Sequence, residues 1–337
     1  MKKYFDKLYA FMKENYQRII MDFFVVLIII VLCNYPLPYV VYRPGGIINL
    51  NDRITVEGGD DITGSYNMSY VTVARGNLPN LFLASVFSNW DILKEEDSLT
   101  YDEDYETNLK ISQMDLENSV NTATLVAFKK AGYAVAVKNK QIVVKSIDDK
   151  ARTNLEKLDQ IEKIEGTDCK DILDLRAYIG SFEIGSKITL LVKNESGMVE
   201  KYAYVYEYEN RKVIGITFFE KYDYQMPLAT NFNARASESG SSGGLMLSLM
   251  MYDQLIPEDL TRGKTVVGTG TIDKDGNVGA IGGIKYKMLG ARKKADVFLV
   301  PEANCEDAQN IYNTFEMNFT MACVKTFDEA IDFLNGI

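Results

Sequence analysis

The chain has 337 residues, 37 lysines and arginines against 47 aspartates and glutamates, a net charge of -10, and 47% hydrophobic residues. That suits about two domains with sizeable cores and excludes a basic nucleic-acid-binding surface. Histidine is absent, which removes the Ser-His-Asp triad, the Cys-His pair and the His-Glu-x-x-His metal helix, so any hydrolysis must use another base.

The first 18 residues carry Lys2, Lys3, Lys7, Lys13 and Arg18 against Asp6 and Glu14. Every residue from Phe23 to Cys33 is apolar, and a greasy stretch continues through Pro36 and Pro38 to Val41 and Tyr42, about the ~20 residues that cross a bilayer. No small-x-small cleavage site follows Cys33, so a retained anchor over residues 19–42 is expected rather than a signal peptide. The basic flank, residues 1–18, places the N-terminus in the cytoplasm and everything after about residue 43 outside.

Residues 43–125 read as a mixed α/β region. Pro44-Gly45-Gly46 is expected to end the membrane helix, and Ile47–Val56 and Tyr66–Val73 have strand-like composition. The acidic run Lys94–Glu106 lacks EF-hand spacing and reads as a solvated loop. Gln113–Lys130 has helical spacing, with Met114, Leu116, Val120, Ala123 and Phe128 on one side.

Further on, AVAVKNKQIVVKSI suggests two short strands around Asn139-Lys140. Asp171–Phe182 reads as a helix, with Ile172, Leu175, Ile179 and Phe182 on one face. Lys187–Val192 and Tyr202–Tyr206 read as a hairpin whose loop, Asn194–Gly197, is longer than a tight two-residue turn. The stretch Leu158-Asp159-Gln160-Ile161-Glu162-Lys163-Ile164-Glu165-Gly166, with that helix and KITLLV, resembles the second half of a bacterial-type PDZ domain. The resemblance implies a module that takes an extended peptide as an added strand beside an exposed edge. Cys33, Cys169, Cys305 and Cys323 are far apart, without C-x-x-C spacing. They are expected as small buried apolar side chains, although Cys305 and Cys323 have a spacing that an oxidising compartment would allow to bridge.

Two later segments bear on chemistry. From Ser237 to Tyr252 small polar residues run straight into an apolar helix. Such a turn suits a serine nucleophile, because the free N–H groups of a helix N-terminus can stabilise an oxyanion. It equally suits a Ser/Gly cap and hinge. From Gly268 to Ala291, Asp275-Gly276 marks a hairpin turn between Gly270-Thr271-Ile272 and Val278–Ile281. Gly282-Gly283 then lets the strand bend into a helix from about Ile284. Lys285 and Lys287 are two apart and cannot share a helix face.

Taken together these segments resemble the Lon family's proteolytic domain over residues 217–337. Gly240-Ser241-Ser242-Gly243-Gly244 is similar to its Gly-Pro-Ser-Ala-Gly nucleophile motif, and Gly282-Gly283-Ile284-Lys285-Tyr286-Lys287 to its Gly-Gly-x-Lys-x-Lys stretch. The resemblance implies Ser242 as nucleophile, Lys287 as its general base, Thr269 holding the amine, and the backbone N–H groups of Ser242 and Gly243 as oxyanion donors. Ser241 stands for the motif's proline and Gly243 for its alanine, which suggests a looser turn. A lysine serves as base only if its pKa falls toward the working pH, and burial does this.

The order of anchor, PDZ-like module and Lon-type domain resembles the membrane-anchored PDZ–Lon peptidases of Gram-positive bacteria. That implies an α+β fold, divided into a flank (1–18), an anchor (19–42), a mixed region (43–125), a PDZ-like domain (126–207) and a Lon-type domain (208–337). It implies a serine endopeptidase acting on peptides or flexible protein segments outside the cell, with no cofactor, metal or nucleic acid. ATP use is not expected, since Gly263-Lys264-Thr265 has Glu258 where a P-loop needs its first glycine. The alternative is a membrane-tethered peptide-binding scaffold whose Lon-like domain is inactive.

Overall fold

The structure, a computed structural model, describes residues 2–95, 105–169, 171–235 and 238–337. The chain divides into two units, residues 1–45 with 71–101, and residues 46–70 with 102–337. Most of the acidic run 94–106 lies outside the described residues.

In the first unit a single helix spans Lys2–Asn34, and its Tyr9–Asn34 portion has a mean hydropathy of 2.2. The helix stops eight residues before the expected end at 42. Pro36 and Pro38 force the residues before them into extended backbone, and Val40, Val41 and Tyr42 are instead buried in the strand Tyr39–Asn49. Pro44-Gly45-Gly46 therefore lies within a strand and ends no helix. Tyr39–Tyr42 pairs antiparallel with Asp91–Lys94. A short helix, Leu78–Val86, has Pro79 in its first turn and Asn77 as its cap, accepting from the Asn80 N–H. Gly76 precedes it, exchanging backbone bonds with Leu37 and Tyr39 at 2.7 Å each. A Cβ there would meet the Tyr39 carbonyl at 2.6 Å.

The second unit contains a parallel sheet and an antiparallel one. In the parallel sheet the strands run Thr320–Val324, Val297–Pro301, Thr265–Gly268, Ser65–Arg75, with Thr265 opposite Ser65 and Gly268 opposite Met68. The strand Ser65–Arg75 thus lies in one sheet with strands from the C-terminal part of the chain. The helix Gly244–Asp253 (GLMLSLMMYD) is buried at every residue except Tyr252, as a helix apolar all round must be. It packs against the long helix Tyr105–Lys130, where Thr124 Oγ1 lies 3.2 Å from Met251 Sδ. A second core forms around Val267, Ile284, Met288, Phe298 and Phe319.

The antiparallel sheet has the order Ile216–Gln225, Ala136–Ile147, Gln160–Ile164, Lys187–Asn194, Gly197–Tyr204. Its apolar face joins the helix Ile172–Ser181 around Leu175, Ile179, Ile188, Leu190 and Val192. Two expectations change. Ala136–Ile147 is one strand without a turn at Asn139-Lys140, since Ile216–Gln225 pairs along its whole length. Asn194 pairs with Gly197, which leaves a two-residue turn.

Cys305 and Cys323 form a disulfide with Cα atoms 5.7 Å apart, in place of the expected unpaired thiols, while Cys33 and Cys169 are free and half-buried.

Candidate active site

Ser242 lies in the turn immediately before the buried helix Gly244–Asp253 and is half-buried. The turn is fixed from several sides. Gly240 N–H donates to the Ser112 carbonyl at 2.8 Å, and Ser119 Oγ donates to the Ser241 carbonyl at 3.2 Å. The approaching loop is pinned by Arg53, whose guanidinium meets the Glu238 carboxylate at 2.5 Å. Gly270, between the strands Thr265–Gly268 and Thr271–Ile272, then closes the turn, donating to the Ser242 carbonyl at 2.8 Å and accepting from Leu245 N–H at 3.0 Å. So close an approach requires glycine, since a Cβ at Gly270 would meet Val278 Cγ1 at 2.9 Å and Leu245 Cβ at 3.2 Å. Among the described residues no hydrogen bond uses the backbone N–H of Ser242 or Gly243. Both lie at the positive end of the helix.

The looser turn suggested by Gly243 has a structural counterpart. A Cβ on Gly243 would lie 2.8 Å from Met68 Sδ. The buried Met68 side chain, carried by the neighbouring strand, therefore fills the room an alanine methyl would take.

Lys287 sits in the first turn of the helix Ile284–Ala291. The strand after the Asp275-Gly276 turn reaches that helix through Gly283, at φ +70°, a left-handed conformation glycine adopts without strain. Ile284, Lys287 and Met288 face inward together, and Lys287 is 4% exposed. Lys285 is half-buried on another side, its ammonium 5.5 Å from the Tyr286 ring centroid. Burial pulls the Lys287 amine from its ordinary 10.5 down to about 8, since an apolar setting disfavours ammonium.

The two segments meet at Thr269, which is fully buried. Lys287 Nζ donates to Thr269 Oγ1 at 2.9 Å, and Thr269 Oγ1 donates to the Ser242 carbonyl at 3.0 Å. Lys287, Thr269 and Ser242 thus form one continuous chain of hydrogen bonds; among the described residues none joins Ser242 Oγ directly to Lys287 Nζ. Such an arrangement places a hydroxyl, a desolvated amine and unused N–H donors at one helix terminus.

Sequence reasoning missed the supports of this site. Asn304, one residue before the bridged Cys305, accepts from Ile281 N–H at 2.9 Å and donates to its carbonyl at 3.0 Å. It thereby fixes the backbone just ahead of the Gly282-Gly283 bend. Met68, Ser112, Ser119 and Asn304 lie far from either motif in the chain, so no local pattern marks them.

Residues 188–335 match the Lon protease (S16) C-terminal proteolytic domain, somewhat less than half of the chain. No curated protein matches. Similar solved structures include the PDZ domain of an SdrC-like protein from Listeria monocytogenes, with 21% identity over 25% of this chain and 92% of that one and a TM-score of 0.23. They also include the second domain of a Listeria protein, with 23% identity over 25% of this chain and 87% of that one and a TM-score of 0.22.

Proposed function

We propose that the chain is a membrane-anchored, ATP-independent serine endopeptidase that cleaves extracytoplasmic peptides or flexible protein segments through Ser242 and Lys287. The observation that carries this reading is the buried Lys287 amine tied through Thr269 to the nucleophile turn. In its neutral form Lys287 takes the proton from Ser242 Oγ as that oxygen attacks the substrate carbonyl. The Thr269 hydroxyl accepts one N–H of the amine and so holds its lone pair toward the serine. The N–H groups of Ser242 and Gly243 receive the oxyanion. The resulting ammonium returns its proton to the leaving amine, and water hydrolyses the acyl-enzyme by the same route.

The membrane part of the reading is supported by the apolar Tyr9–Asn34 helix behind a basic flank. A location outside the cytoplasm is supported by the Cys305–Cys323 disulfide. The P-loop spacing fails at Glu258, which supports independence from ATP and hence a preference for substrates that need no unfolding. The outer edge of Ala136–Ile147 is taken by the chain's own strand Ile216–Gln225, so substrate recruitment by strand addition at that edge is not part of the reading.

The test is cleavage of an unstructured fluorogenic peptide by the full chain in detergent. Ser242→Ala and Lys287→Ala should each abolish it, while Ser241→Ala and Lys285→Ala keep most of it. Cleavage by Lys287→Ala at the wild-type rate would overturn the assignment.

A further inference from the structure

The first unit carries an apolar surface that the peptidase reading does not use. Along the helix Leu78–Val86 (LPNLFLASV) no residue is charged, and only Ala84 is buried. Leu78, Phe82, Leu83, Val86 and the following Phe87 are 50%, 67%, 38%, 63% and 49% exposed. Large apolar groups gathered on one exposed helix mark a contact surface.

The fold says where that surface lies. The helix starts two residues after Gly76, which accepts from Leu37 N–H and donates to the Tyr39 carbonyl, each at 2.7 Å. Leu37 is three residues beyond the end of the Lys2–Asn34 helix. These bonds tie the exposed apolar helix to the point where the anchor ends. At its other end Phe87 stacks on Trp90, centroids 5.3 Å apart, and the Arg43 guanidinium lies 5.0 Å from the Trp90 ring. An aromatic pair with an arginine beside it is the composition found at the headgroup level of membranes.

We propose that the helix Leu78–Val86 is a second membrane contact, lying in the plane of the bilayer surface with Leu78, Phe82, Leu83, Val86 and Phe87 among the lipids. This rests on the anchor reading given above. It commits to lipid as the occupant because the helix is uncharged and fixed beside the anchor's exit. Exposed apolar side chains held at that level can bury at the boundary of headgroups and acyl chains, where the Phe87–Trp90 pair and Arg43 supply the interfacial groups. The contact would hold the first unit flat against the membrane.

Trp90 is the chain's only tryptophan and reports on this directly. The full chain is reconstituted into phosphatidylcholine vesicles, some brominated on the acyl chain near the headgroup. Flotation first establishes insertion. The expected result is that brominated lipid removes about half of the Trp90 emission and that aqueous iodide quenches it severalfold less than in detergent. Phe82→Glu with Val86→Glu, both at exposed positions, should restore iodide access while the protein still floats. Flotation without bromine quenching in the wild type would overturn this contact and leave the anchor standing; the surface would then belong to a protein partner. Failure to float would overturn both.

Discussion

Replacing Lys287 by methionine separates the two consequences of burying its amine. The wild-type pKa of about 8 leaves about one amine in ten neutral near pH 7, against about one in 3,000 at the ordinary 10.5. Burial thus raises the concentration of working base about 300-fold. kcat/KM for a peptide should climb about tenfold per pH unit below ~7, reach half its maximum near pH ~8, and level off above ~9. For folding the same burial is a cost, relieved as pH rises. The unfolded lysine holds its proton up to about 10.5 while the folded one releases it near 8, so between those values the unfolded state binds more protons and stability rises with pH. Below about 8 the buried ammonium costs up to about 3 kcal/mol. Lys287→Met should therefore abolish cleavage and yet unfold at higher denaturant than the wild type near pH 7, with the difference shrinking between pH ~8 and ~10.5. Lys287→Arg, permanently charged, should be inactive without that gain. A pH profile flat between ~6 and ~9, or a Lys287→Met chain no more stable than wild type near neutrality, would refute a dry, tuned lysine.

Gly270→Ala should lose most activity and about 1–3 kcal/mol of stability, because its methyl meets Val278 and Leu245 within a turn that cannot open. Gly243→Ala, whose methyl is crowded only by the flexible Met68 thioether, should retain most of its cleavage rate, and a loss as large as that of Gly270→Ala would contradict the role given to Met68. Asn304→Ala should lower kcat about tenfold with little change in KM, by freeing the Ile281 backbone ahead of Lys287. Reducing the Cys305–Cys323 bridge should cost roughly 2–4 kcal/mol in denaturant unfolding, as expected for closing a loop of 18 residues. Burial pushes the Asp253 carboxyl up to about 6, so the stability it lends is complete below the usual carboxylate pKa and is lost as pH rises through about 6. Asp253→Asn should flatten the melting temperature across that range.

Local signals carried far in this chain. Asp171 caps the helix Ile172–Ser181 by accepting the Asp174 N–H. Asp275-Gly276 turns its hairpin, and the lysine helix starts at Ile284, after the Gly282-Gly283 bend. What escaped depends on partners distant in sequence. Ala136–Ile147 contains Asn139-Lys140, which reads as a turn until Asp223 and Tyr222 are paired against those residues. Ser65–Arg75 looks like part of a separate region because its neighbour Thr265–Gly268 lies about 200 residues later, and parallel pairing leaves no hairpin signature. Hydropathy alone does not separate an apolar helix of membrane-spanning length from a buried strand; Pro36 and Pro38 mark the change from the helix ending at Asn34 to the strand beginning at Tyr39. For the site, the two motifs supplied Ser242, Thr269 and Lys287, while Met68, Gly270 and Asn304 became visible only as contacts.

The most direct test of a serine activated by a buried lysine is where, and at what pH, a phosphonylating reagent reacts. The full chain is treated with a fluorophosphonate across a pH series and the adduct located by peptide mass spectrometry. The expected result is a single adduct on Ser242, forming with half-maximal rate near pH ~8 and absent from Lys287→Met. Modification of another serine, or of Ser242 at an equal rate without Lys287, would contradict it.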